Sequence, residues 1–231
     1  MVTDMQRPQH TYEIDYDGVT DPETLALVDD FAAMYRSVYQ GAMIGAWLED
    51  RIQLLIEGWL PEWCLSHAQI LDAEHPDLQS RSWDIVVHKP VPPEMRLPPP
   101  SRRNHGYPLV PKDLCCAAID TKGRYDQPRE YARKRAFNIT NDATIPQLTL
   151  LAPTVEPILL ILASKYPEQT VLATAKESGM SAFVLVRAHD LGISQGSAHV
   201  KWKLNGGNRY QPPLQEFRAF LTEAASRWRA S

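Results

Sequence analysis

Residues Leu114–Lys122 read LCCAAIDTK, an apolar run whose polar residues come only at its end. Such a run predicts a central strand. Side chains alternate across a strand, so Asp120 and Lys122 point to the same face. Upstream, Trp83–Val87 (WDIVV) is a second, short strand rich in β-branched residues. If the two strands pair, Asp84 lies beside Asp120.

The segment before these strands adds a third carboxylate. Ile44, Trp47, Leu48, Ile52, Leu55, Ile56 and Trp59 recur at helical spacing and form one apolar stripe. At roughly 100° per residue, Glu49 falls at the edge of that stripe, whereas Asp50 points to solvent. A carboxylate at the rim of a buried face can reach a site on a neighbouring sheet. Gly58 and Pro61 bound the end of this helix, and Gly41 separates it from an earlier one. The earlier helix starts with Asp21 as N-cap and Pro22 in the first position and runs to about Tyr39.

The rest of the chain reads as follows. Residues 1–20 form an arm with a short strand near Thr11–Tyr16. Cys64–Leu71 is a strand and residues 72–82 a polar turn. Lys89 to Lys112 is a long irregular stretch with eight prolines, and structureless loops of that length are usually functional or disordered. Gln127–Asn138 is a basic helix, Leu148–Leu151 and Pro157–Ala163 are core segments, and a helix spans about Tyr166–Ser178. Ala182–Arg187 and His199–Leu204 are strands, the latter leading into a turn at 205–208. An amphipathic helix over Pro213–Trp228 closes the chain. No repeat or linker stands out, so residues 21–231 are expected to form one α/β domain.

Glu49 on a helix, Asp84 on one strand and Asp120-x-Lys122 on the next make a chemical constellation. Two or three carboxylates converging on a small volume repel one another at pH 7 unless a divalent cation joins them. Mg2+ or Mn2+ suits hard oxygen ligands and leaves room for water and phosphate oxygens. A bound cation lowers the pKa of its water and stabilises charge on a scissile phosphate. Lys122 adds a cation that can orient the attacking water and stabilise the transition state. The pattern therefore points to a metal-dependent phosphodiesterase with Asp84, Asp120 and Glu49 as metal ligands and Lys122 as its partner. Each residue also has a plainer reading. Asp120 can start a turn into Gly123, Asp84 can pair with Lys89 or cap a turn, and Glu49 can be a solvated helix residue paired with Arg51.

Composition sets limits. The 231 residues carry a net charge of −4, with 44% hydrophobic and 23% charged residues. A core can be buried, and a passive DNA-coating protein with a broad basic surface is disfavoured. Cys64, Cys115 and Cys116 form no C-x-x-C pair, so a cysteine-based zinc site is not expected and reduced thiols are. The polar N-terminus is unlike a secretion signal. The apolar stretch around Leu148–Ala163 is broken by Pro153, Glu156 and Pro157, too interrupted for a membrane span. A soluble, cytoplasmic protein is expected. No H-E-x-x-H, G-x-x-x-x-G-K or G-x-S-x-G motif is present.

Three stretches, LEDRIQLLIEGWLPEW, SRSWDIVVHKP and YPLVPKDLCCAAIDTKG, resemble the NucC-like family of PD-(D/E)xK DNA endonucleases of anti-phage defence. The likeness rests on Glu49 ahead of Leu60-Pro61, on Ser80 upstream of Asp84–Val87, and on Val110-Pro111 ahead of the acidic-x-Lys strand. It extends over roughly residues 40 to 230. The resemblance implies a restriction-endonuclease-like central mixed sheet flanked by helices. It places Asp84, Asp120 and Lys122 on catalytic positions and Glu49 on the helix carboxylate. It further implies double-stranded DNA as substrate, a homo-oligomer that is a trimer or a multiple of one, and activation by a cyclic oligonucleotide. The family usually has Glu-x-Lys where this chain has Asp120-x-Lys122. The shorter aspartate alters metal geometry or preference. It also motivates a rival reading, a catalytically weak nuclease-fold ligand sensor or assembly module. A dedicated restriction or repair nuclease is the third.

Further candidates lie around the core motif. Arg129, Arg133 and Lys134 put cations near one helix face and suit a DNA backbone or a solvated surface. Arg102 and Arg103 suit DNA, an activator or a plain linker. Lys201 and Lys203 read as solvent-facing, and His88 and His105 as surface or loop histidines. Trp47, Trp59 and Trp63 read as packing residues.

Overall fold

The computed structural model describes residues 11–15, 21–37, 41–72, 80, 82–95, 108–125, 154–164, 168–177, 179–194, 197–204 and 213–230. Among the described residues there are eight strands: β1 (Thr11–Asp15), β2 (Cys64–Leu71), β3 (Trp83–His88), β4 (Leu109–Pro111), β5 (Cys115–Tyr125), β6 (Glu156–Ser164), β7 (Ser181–Ser194) and β8 (Ser197–Leu204). Four α-helices accompany them among the described residues: α1 (Pro22–Ser37), α2 (Gly41–Trp59), α3 (Glu168–Glu177) and α4 (Pro213–Ala230). The strands form one sheet in the order β1-β8-β7-β6-β5-β3-β2-β4. It is mixed: β5, β6 and β7 run parallel, while β3 lies antiparallel to both of its neighbours, β2 and β5.

The central strands read as unbroken apolar runs because both of their faces are covered. On one face, Leu48, Ile52 and Ile56 of α2 and Phe217, Leu221 and Ala225 of α4 pack on Ile85, Val87, Ile119, Ile158 and Leu160. Trp47 and Trp59 border this cluster and Trp63 is buried in it, as packing residues. On the other face, Val171 and Ala175 of α3 join Val86, Ala118, Leu159, Ile161 and Val184. The adjacent Cys115 and Cys116 are both fully buried, one in each cluster. Burial pushes the Cys116 thiol up to about 12, and that of Cys115 further.

Local signals explain the element ends. The Asp21 carboxylate accepts the Thr24 amide at 2.9 Å and also the Thr24 hydroxyl, an N-cap on α1. It further accepts Gln215 Nε2 at 3.1 Å, which ties α1 to α4. Burial raises the Asp21 pKa, but the bonds from Thr24 and Gln215 outweigh it and hold the carboxyl below its ordinary value.

Four expectations need correction or extension. The proline-rich stretch from Lys89 to Lys112 is not wholly irregular. It holds a 3-10 turn at Pro93–Met95 and the strand β4, which pairs in parallel with β2 through Gln69–Leu109, Ile70–Val110 and Leu71–Pro111. Proline is tolerated there because β4 is the outermost strand and needs no second ladder. The strand in the N-terminal arm is an integral edge of the sheet, paired in parallel with β8. β5 continues past Lys122 to Tyr125, because β6 pairs with it up to Tyr125–Ser164; Asp120 therefore does not start a turn. β7 runs on to Ser194, seven residues past the apolar run, carried by backbone pairing with β8. The basic segment 127–138, the segment 148–151 and the turn at 205–208 lie outside the described residues. Among the described residues no helix is long and apolar enough to cross a membrane.

Candidate active site

Asp84 and Asp120 come together at the point where β3 and β5 stop pairing. The antiparallel register matches Ile85 with Ile119, so Asp84 sits opposite Asp120 one step beyond the last ladder pair. At that step a side chain replaces the backbone ladder. The Asp84 carboxylate accepts the Thr121 amide at 2.7 Å and the Thr121 hydroxyl at 3.2 Å. It does not pair with Lys89, which faces Glu62 at 3.7 Å and lies over the Trp63 ring.

Lys122, two residues along β5, turns back onto the pair. Its ammonium donates to Asp120 Oδ1 at 2.7 Å and to the Thr121 carbonyl at 2.9 Å, and stands 3.7 Å from Asp84 Oδ2. Asp120 is completely buried, the Asp84 side chain is 14% exposed and that of Lys122 is 32% exposed. The cation is thus the solvent-side member of the cluster.

Glu49 approaches from α2. Arg51, its alternative partner, is engaged by Asp30. Glu49 instead lies 3.5 Å from His67 Nδ1 on β2. Burial pushes the Glu49 carboxyl above its ordinary range. His67 and Lys122 pull it down, and the Asp120 carboxylate adds to the rise. Glu49 therefore feels the Asp120–Lys122 pair electrostatically, and all four expected residues share one end of the sheet. Asp50 is exposed, as the helical phase requires.

Two residues were not foreseen. His67 becomes a neighbour of Glu49 only through the packing of α2 over β2, which no local pattern encodes. Thr121, the middle residue of the D-x-K motif, supplies an amide to Asp84 and a carbonyl to Lys122. Its place inside the motif was the available signal. His88, expected on the surface, is buried at 7% exposure. A register shift between Val87 and His88 brings it opposite Cys115. Both ring nitrogens then find partners, Ser66 Oγ at 2.9 Å and the Lys89 carbonyl at 2.7 Å, and burial lowers its pKa. Arg129, Arg133, Lys134, Arg102, Arg103 and His105 lie outside the described residues, as do the side chains of Lys201 and Lys203.

The donor set suits a hard divalent cation. Among the described residues no three His, Cys, Asp or Glu side chains gather closely enough to hold a metal ion. Two carboxylates and the Thr121 main-chain carbonyl do gather around one cationic atom, Lys122 Nζ. These three oxygens could serve a hard cation such as Mg2+ or Mn2+, which would complete its shell with water and phosphate oxygens.

No protein-family model matches the chain, and no curated protein matches it. Solved structures do. P. aeruginosa NucC in its cAAA-bound form superposes with a TM-score of 0.55 at 13% identity, covering 90% of this chain and 95% of that one. E. coli NucC in its cAAA-bound form gives 0.53 at 12% identity, covering 91% and 93%. Likeness at this identity is a likeness of fold, and it extends over nearly the whole of both chains. The eight-stranded mixed sheet with helices on both faces is thus the restriction-endonuclease-like fold found in NucC.

Proposed function

We propose that this chain is a metal-dependent endonuclease that hydrolyses phosphodiester bonds of double-stranded DNA. The observation that carries the reading is the convergence of Asp84, Asp120, the Thr121 carbonyl and Lys122 at one strand end. Asp84, Asp120 and the Thr121 carbonyl would hold Mg2+ or Mn2+. When bound, the ion acidifies a coordinated water and offsets charge on the scissile phosphate. Asp120 is buried and fixed by the strand, and Asp84 is fixed by the Thr121 amide, so both present preset oxygens. Lys122 supplies a mobile positive charge that orients the attacking water and meets charge developing on the phosphoryl oxygens. Glu49, held near His67, supports the water or a second ion. Arg129, Arg133 and Lys134 would add backbone contacts to DNA.

The two NucC structures are cAAA-bound. Together with the shared fold, this supports a cyclic oligonucleotide as a ligand of this chain. A trimer or a multiple of one as its assembly, and a cytoplasmic anti-phage role, are proposed from the family resemblance of its sequence. Plasmid cleavage with Mg2+ tests the reading, using wild type and Asp120→Ala, each with and without cAAA and a panel of other cyclic di- and trinucleotides. Metal-dependent cleavage lost in the variant, and dependent on one nucleotide, is the expected result. Absence of cleavage of DNA and RNA under every condition overturns it and favours the sensor or assembly module. Discrete fragments rather than a smear favour a sequence-specific nuclease.

A further inference from the structure

Lys122 stands among the oxygens that the proposed function gives to a divalent ion. Its ammonium contacts Asp120 Oδ1 and the Thr121 carbonyl at 2.7 and 2.9 Å and lies 3.7 Å from Asp84 Oδ2. Those are the three oxygens assigned above to a divalent cation. Magnesium takes oxygen ligands at about 2.0–2.1 Å, so the ammonium and the ion cannot share the niche. Like charges in contact also repel strongly where water is partly excluded.

We propose that Lys122 is the built-in counter-cation of the metal-free protein, and that its ammonium must leave the niche for a divalent ion to enter. The inference rests on the metal-nuclease reading and adds to it a competition within the site. The fold decides which partner moves. Asp120 is fully buried on a central strand, and Asp84 is tied to the Thr121 amide, so neither carboxylate can follow the lysine out. The Lys122 side chain is 32% exposed and flexible along its stem, so it has an open path to solvent. The arrangement also answers a stability problem. Two carboxylates at one strand end, one of them wholly buried, are costly without a compensating charge. Lys122 supplies that charge until the ion arrives. Once displaced, the same ammonium is free to meet a phosphate.

The test is Mn2+ binding to the full chain without DNA, followed by calorimetry and by electron paramagnetic resonance of free Mn2+, for wild type, Lys122→Met and Asp120→Asn. Removing one charge-assisted competitor should tighten Mn2+ binding about ten- to a hundredfold in Lys122→Met. Asp120→Asn should bind no ion. Equal or weaker binding by Lys122→Met, with wild type binding normally, overturns the inference and leaves the metal site standing. Failure of both wild type and Lys122→Met to bind overturns the metal-nuclease reading itself. A second measurement does not depend on the variant's folding: reductive methylation of wild-type Lys122, read by peptide mass spectrometry. Saturating Mg2+ should increase Lys122 labelling severalfold, and unchanged labelling refutes its release.

Discussion

The Thr121 amide donates to the Asp84 carboxylate at 2.7 Å, where the β3–β5 ladder would otherwise end without a partner. One side chain thus closes a strand pair and presents an oxygen to the site. Replacing Asp84 by alanine should affect both. On the proposed metal-nuclease reading, DNA cleavage should fall by on the order of a thousandfold or more, because an oxygen meant for the metal is lost. Stability should fall by about 1–3 kcal/mol, because the amide loses its acceptor. Denaturant unfolding beside a plasmid assay checks the two effects, and an unaltered unfolding midpoint would contradict the structural half.

Asp120 stands where the family that the sequence resembles usually has glutamate. If Asp120 serves as a metal ligand, as proposed, the carboxylate matters more than its length. Asp120→Asn should abolish cleavage while keeping the fold. Asp120→Glu should retain cleavage within about tenfold at a cost of about 1–3 kcal/mol, since the added methylene enters a fully buried position. Cleavage by Asp120→Asn at the wild-type rate would remove Asp120 from the chemistry.

Burial raises the Glu49 carboxyl above its ordinary value of 4.5. A carboxyl whose folded pKa is raised is penalised when ionised. That penalty is fully present above the folded pKa and disappears as pH falls below the unfolded one. At neutral pH and without metal, Glu49→Gln should therefore be more stable than wild type, with the difference vanishing near pH 4. If ionised Glu49 also serves cleavage, the rate should rise with pH along an acidic limb that the glutamine variant lacks. Thermal unfolding at two pH values and a pH–rate profile decide it.

Asp21 has the opposite sign. Its folded pKa lies below the ordinary 3.8, so its contribution is fully present above the unfolded pKa and is lost as pH falls through the folded one. Asp21→Ala removes the N-cap of α1 and the bridge to Gln215 on α4, and should cost about 1–2 kcal/mol at neutral pH. The gap between variant and wild type should close in strongly acidic solution. A gap that persists there would point to packing rather than charge.

Much of this was legible in residue order. The cap at Asp21, the stripe on α2 and the strand Cys64–Leu71 follow from local propensity and period, and the structure has each. Asp120 and Lys122 share a face because strands alternate, which holds whatever the topology. What escaped depends on partners remote in sequence. β4 is three residues made into a strand by β2, and prolines hid it. The far half of β7 exists by pairing with β8. His88 is buried because of a register shift, and His67 matters only because α2 lies over β2 near it. The oxygen that Thr121 offers to Lys122 belongs to the backbone, so only its place inside the D-x-K motif marked it.

The double cysteine on β5 has a practical consequence. With one thiol sealed in each core, thiolate chemistry is suppressed at Cys115 and Cys116, and only the half-buried Cys64 remains accessible to a maleimide or nitroxide reagent. The unmodified chain therefore offers one spectroscopic attachment point on β2, two strands from the strand that bears Asp120, and a probe there needs no cysteine to be engineered away.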